Sequence, residues 1–228
     1  MIVDSGKTLV IVAHPDDEAL GAGGTVKKIV SNGGIVDVLV CSDGATAQHP
    51  DADHMIERRY DNFHRACSIL GFRKKQILSF PDMRLDTVPH IELNIKISEF
   101  LATDNYDTVL THHRSDVNLD HQMVVRSVLV ATRPQPNQSV KTVASFFVAS
   151  STEWGSIGNS NAFVPNVYVD ISESIDDKIE AFSSYVDEIK AFPHPRSLEA
   201  IRARASVCGS EVGVAYAEPF QLLRHIEC

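Results

Sequence analysis

Residues 8–18 read Thr8-Leu9-Val10-Ile11-Val12-Ala13-His14-Pro15-Asp16-Asp17-Glu18. The β-branched apolar run predicts a strand buried on both faces. Such a strand normally leads into small or apolar residues, but this one runs into one imidazole and three carboxylates. Like charges packed together repel unless something compensates them, and a divalent cation does so directly. His14 and Asp17 are therefore candidate ligands from one turn, with Asp16 between them and Glu18 favouring the N-terminus of a following helix.

Working outward, residues 18–31 read as that helix, stopped by Asn32-Gly33-Gly34. Gly21, Gly23 and Gly24 in its first turns point to close backbone packing. Further strands are expected at 36–41, 76–80, 107–111, 142–149 and 167–171. Helical stripes lie between them, including Ile91, Ile95 and Leu101, and later Ile175, Ile179, Phe182, Val186 and Ile189. Residues 45–53 read as a polar loop, and 150–166 form the longest stretch without a pattern. A last apolar segment covers 219–226. Alternation of strand and helix implies an α/β fold, a mostly parallel sheet between two helical layers, within one domain spanning 1–228. In such sheets ligands bind beyond the carboxyl ends of the strands. Here those ends carry His14, Asp43, Asp82 and His112, all on one rim.

A net charge of −9 argues against nucleic acid or an anionic membrane as partner, and no apolar run reaches the ~20 residues of a membrane span. Cys41, Cys67, Cys208 and Cys228 form no CxxC pair. With no recognisable secretory signal, they read as reduced thiols of a cytoplasmic protein. Phe146 and Phe147 belong either to the core or to a homo-oligomer interface.

A catalytic zinc site takes three N or O ligands and leaves one position open for water. His121, at the start of the helix after the fourth strand, completes a set of two histidines and a carboxylate with His14 and Asp17. Asp16 then stays off the metal as general base. Hydrolysis of an amide or ester is the expected chemistry. His112 and His113 are left off the metal, His113 being the better candidate for the pocket wall.

His14-Pro15-Asp16-Asp17-Glu18 resembles the signature of the PIG-L/LmbE-like zinc deacetylases, and Asp116-Val117-Asn118-Leu119-Asp120-His121 resembles their second motif. Arg59 through Leu70-Gly71, the Pro81-Asp82 turn and Ala217-Glu218-Pro219-Phe220 are similar to family features, so the likeness covers nearly the whole chain. It implies a Rossmann-like fold and removal of an acyl group from an N-acylated amino sugar, nucleotide sugar or conjugate. By position it makes His14, Asp17 and His121 ligands of Zn2+, with Fe2+ as the alternative ion, and Asp16 the base. Arg59 falls where the family contacts substrate, and Asp82, His113, Glu153 and Arg196 join it as substrate-side candidates. Asp120 is expected to support the site from behind.

One departure stands out. Asn118 occupies a position where many members carry a histidine, and an amide can donate a hydrogen bond but not a proton. Asn118 therefore keeps an electrostatic role, and His194, between Pro193 and Pro195, is the candidate acid. Two other readings compete: a catalytically impaired sugar- or metal-binding protein, and a hydrolase of a non-sugar amide.

Overall fold

In a computed structural model the chain is described over residues 2–4, 6–44, 52–155 and 162–227, with the side chains of residues 52–54 left aside. The expected polar loop at 45–53 and part of the 150–166 stretch fall largely outside these residues, as does Cys228.

The first strand, β1 (Lys7–Val12), shows why its sequence is apolar throughout. Val10 and Val12 face one hydrophobic cluster, while Leu9 and Ile11 face the other. Side chains alternate across a strand, so burial on both sides demands an unbroken apolar run. Parallel neighbours follow: β2 (Ile35–Ser42), β3 (Lys75–Phe80), β4 (Thr108–Thr111) and β5 (Thr142–Phe146). The last two strands are β6 (Val167–Asp170) and β7 (Ala217–His225), which runs antiparallel to both β5 and β6. The seven strands are ordered β3-β2-β1-β4-β5-β7-β6.

Four helices contribute to the Val10 side: α1 (Asp17–Ser31), α2 (Ala52–Leu70), α5 (Ile175–Ser183) and α6 (Leu198–Val212). Two cover the Leu9 side: α3 (His90–Leu101) and α4 (Leu119–Ala131). The result is the expected three-layer α/β/α arrangement. Strand order reverses direction between β1 and β4, so the crevice outside their carboxyl ends is the switch point where such sheets bind ligands.

The α1 glycines have a packing reason. A Cβ on Gly21 would stand 2.3 Å from the Phe146 ring, and one on Gly24 would stand 2.8 Å from Ile171. A buried ion pair braces the same helix: Lys178 Nζ donates to Leu20 O and to Glu218, whose carboxylate accepts the Gly24 and Thr25 amides. Phe146 is fully buried and belongs to the core, while the Arg204 guanidinium lies 3.9 Å from the centre of the Phe147 ring.

Three local expectations are corrected. In α3 the buried residues are Leu93, Ile97 and Phe100, whereas Ile91 and Ile95 are exposed. The segment carries two apolar stripes, and the one with the aromatic residue packs inward. Helix α5 ends at Ser183 rather than continuing to Ile189, and Val186 is exposed. Ser183 Oγ donates back to Ile179 O there, a bond that competes with helix propagation. Strand β5 stops at Phe146 because the chain then turns, with Val148 N–H donating to Thr152 Oγ1.

Candidate metal centre and cavity

The turn after β1 is held in a conformation ordinary side chains avoid: Asp16 has φ 125°. Its amide donates to Glu18 Oε2, and its carbonyl accepts from Ala19 and Leu20. Glu18 is fully buried, and its other oxygen accepts the Tyr185 hydroxyl. Burial pushes the Glu18 carboxyl up to about 8 against these hydrogen bonds.

This turn aims Asp17 inward, where it meets three histidines. Asp17 Oδ2 lies 3.3 Å from His14 Nδ1, 3.4 Å from His121 Nε2 and 3.5 Å from His112 Nε2. Asp17 Oδ1 is buried with no hydrogen-bond partner. His14, Asp17 and His121 each offer a ligand atom within 4.8 Å of the others. A buried carboxylate with one oxygen unpartnered and the other near two imidazoles fits a bound divalent cation, and two histidines with one carboxylate form a catalytic zinc set.

Each of these imidazoles has a carboxylate at its far nitrogen. His14 Nε2 bonds Asp120 Oδ2 at 3.1 Å, with Asp82 Oδ1 at 3.4 Å, and His121 Nδ1 lies 3.1 Å from Asp116 Oδ2. In a metal site such carboxylates orient the ring and leave its near nitrogen for the ion. Burial alone would depress both imidazoliums, but the surrounding carboxylates override it. They raise His14 to about 10 and His121 to about 9. Asp17 is held well below the usual carboxylate range, the histidines overcoming its burial.

His112 is set apart by chemistry. Its Nε2 accepts the Ala13 amide at 2.8 Å, so that lone pair is committed to the backbone. Burial and the neighbouring His121 push its pKa down to about 3. The neutral ring stacks on His121 at 3.9 Å and acts as packing.

Beside His14 opens a cavity of about 180 Å³. Its wall includes His14, Asp16, Arg59, Asp82, Asn118 and Arg196, all singled out from sequence, together with Met83 and Glu188. Arg196 Nη1 lies 3.1 Å from Asp16 Oδ2. Burial raises Asp16 to about 6, with Arg196 pulling the other way. Asn118 caps α4 by accepting the Asp120 amide, while its Nδ2 contacts the Met83 sulfur at 3.6 Å.

Besides the inner residues Asp17, His121 and Asp120, three sequence candidates are not among the described lining residues. His113 is buried edge-on against Phe163. Glu153 accepts the Ser150 and Ser151 amides and so shapes its own turn. His194 accepts the Arg196 amide at Nδ1, bracing the loop that delivers Arg196.

Sequence reasoning gave no role to Asp116, Glu188 or Met83. Asp116 had a usable signal, a carboxylate at a strand end inside the second motif. It accepts from Asn118 N, Ser151 and Thr152 and is lowered to about 2, His121 and these donors outweighing burial. Glu188 was hidden by the expected continuation of α5. Met83, with φ 53°, had no sequence signal of its strained backbone.

The chain is similar to several known proteins. The chain is 26% identical over 234 residues to the diacetylchitobiose deacetylase of Thermococcus kodakarensis, covering 94% of this chain and 82% of that protein. It is 24% identical over 190 residues to a probable N-acetyl-α-D-glucosaminyl L-malate deacetylase of Bacillus cereus, covering 80% of this chain and 84% of the other. The structure of the N,N'-diacetylchitobiose deacetylase from Pyrococcus horikoshii, solved with an inhibitor, superposes with a TM-score of 0.78 at 22% identity. That match covers 97% of this chain and 85% of the other. Residues 9–132 match the family model of PIG-L, GlcNAc-PI de-N-acetylase, a span from β1 to the end of α4 that contains every candidate metal ligand. The chain belongs to the PIG-L family.

Proposed function

We propose that the protein is a metal-dependent N-deacetylase that hydrolyses the acetamide of an N-acetylated amino sugar or sugar conjugate. The observation that carries this reading is the convergence of His14, Asp17 and His121, with His14 and the neighbouring Asp16 lining a polar cavity. The named activities of relatives in the family support the substrate class. A divalent ion held by these three residues, which we take to be zinc, supplies Lewis acidity that lowers the pKa of water and polarises the amide carbonyl.

The chain's own groups do the rest. Arg196 holds Asp16 Oδ2, which leaves Oδ1 to accept the proton of the attacking water. As the carbonyl oxygen becomes anionic, Asn118 Nδ2 offers it a hydrogen bond, since its present sulfur contact is weak. Asp16 then returns the proton to the departing nitrogen as the C–N bond breaks, so one carboxylate serves both transfers. His194 keeps Arg196 in place in this scheme, and the acid role expected of it passes to Asp16. Among the described residues no helix is long and apolar enough to cross a membrane. We assign the enzyme to the cytoplasm.

The test is acetate release from a panel of N-acetylated sugars, free and conjugated, with zinc-loaded protein and a chelated control. Release that disappears on chelation supports the reading. No release from protein that holds zinc overturns it in favour of a binding protein or a non-sugar amide.

A further inference from the structure

One wall of the cavity is a chain of alternating charge. Glu188 Oε1 accepts from Arg59 Nη2, and Glu188 Oε2 accepts from Arg196 Nη1 at 2.6 Å. The same Arg196 nitrogen reaches Asp16 Oδ2 at 3.1 Å, while Arg59 Nε is tied to Gly44 O at 3.1 Å. Exposed ion pairs contribute little, but these side chains keep only 16% to 19% of their surface. Both guanidiniums also feel the charge of Asp16.

Glu188 lies in the turn that follows α5, three residues after the fully buried Tyr185. Tyr185 donates to Glu18, and Glu18 accepts the Asp16 amide. One turn therefore grips Asp16 twice: its backbone through Tyr185 and Glu18, its carboxylate through Glu188 and Arg196.

We propose that Glu188 is a positioning residue for the base: it shares Arg196 with Asp16 and holds Arg59 away, so that one Asp16 oxygen stays open to the reacting water. The proposal rests on the reading of Asp16 as the base. The two guanidiniums now divide between Glu188 and Asp16, and Arg59 also feels the charge of Asp82 across the cavity. Without Glu188 both turn to Asp16, and an arginine fork matches a carboxylate through both oxygens. The base is then clamped without any change at the metal ligands.

The experiment compares zinc-loaded wild type with Glu188→Ala, Glu188→Gln, Arg196→Gln and the Glu188→Ala/Arg196→Gln double variant. Readouts are kcat and KM for acetate release, zinc content and Tm, with a crystal structure of a Glu188 variant. Glu188→Gln keeps the side-chain volume should Glu188→Ala fail to fold. Loss of Glu188 is expected to lower kcat at least tenfold at full zinc content. In the Arg196→Gln background only Arg59 is left to turn to Asp16, so the same change is expected to lower kcat by less than the tenfold seen in the wild-type background, because both residues act on one carboxylate. Wild-type kcat in the Glu188 variants, or losses that multiply in the double variant, overturn the proposal. The crystal structure decides independently of activity. Guanidinium nitrogens on both Asp16 oxygens support it, and an Asp16 that keeps only its single Arg196 contact overturns it. A wild-type enzyme that releases no acetate from any sugar overturns the deacetylase reading instead, and the crystal structure still decides the role of Glu188.

Discussion

Nδ1 of His121 lies 3.1 Å from Oδ2 of Asp116. That carboxylate accepts the hydroxyls of Ser151 and Thr152 and the amide of Asn118. It therefore ties the loop after β5 to a candidate ligand on α4. Asp116→Asn keeps the shape but weakens the hold on the imidazole. Zinc affinity, measured by chelator competition, is expected to fall about 10- to 100-fold.

Ligand and base are separable. His121→Ala is expected to abolish stoichiometric zinc binding. Asp16→Asn is expected to retain zinc, because its side chain is turned to Arg196, while turnover drops by about 10²- to 10⁴-fold. Metal analysis beside acetate release checks both, and normal turnover in Asp16→Asn removes it as the base.

Asn118 has two jobs that two substitutions pull apart. Its Oδ1 caps α4, and its Nδ2 faces the cavity. Asn118→Asp keeps a capping acceptor but loses the donor, so stability is expected to hold while kcat falls. Asn118→Ala loses both and is expected to cost about 1 kcal/mol of stability as well. Thermal melts and kinetics on the same preparations distinguish them.

At the opposite end of the sheet, Asp37 accepts from Arg73, Tyr106 and the Lys74 amide. These bonds overcome its burial and hold its carboxyl below the usual range. A depressed folded pKa contributes stability that is present above the unfolded value, about 3.9, and is lost as pH falls through the folded one. Asp37→Ala is expected to cost about 2–4 kcal/mol at pH 7, less than a fully buried pair because Arg73 remains partly solvated. Urea unfolding at pH 7, 5 and 3 should show the gap to wild type unchanged at pH 5 and narrowed at pH 3.

Much of this was legible in the sequence because periodicity and local chemistry agree there. The unbroken run of β1 has to be buried on both sides, and its polar end has to face the rim. The errors share a cause: pattern does not rank competing partners. Ile91 and Ile95 form as good a stripe as Leu93 and Ile97, and only the neighbouring sheet decides between them. Val186 and Ile189 continue the spacing of α5, but the buried Glu18 draws Tyr185 off the helical path. Glu188 reaches the cavity by that departure, so no helical reading of the segment could have placed it there.

The antiparallel strand β7 has a consequence for how the enzyme comes into being. Among the described strands, β6 meets the sheet only through β7, although it is synthesised earlier. Until β7 exists, β5 presents an open edge and β6 has no place to dock. Glu218 arrives on the same strand to satisfy the Gly24 and Thr25 amides of α1, the helix that begins at Asp17. The late strand thus braces the helix that begins at the candidate ligand Asp17, while all three candidate ligands lie within the first 121 residues. A nascent chain carries every candidate ligand well before β7 is made, so tight metal capture is expected to follow the pairing of β7 rather than precede it.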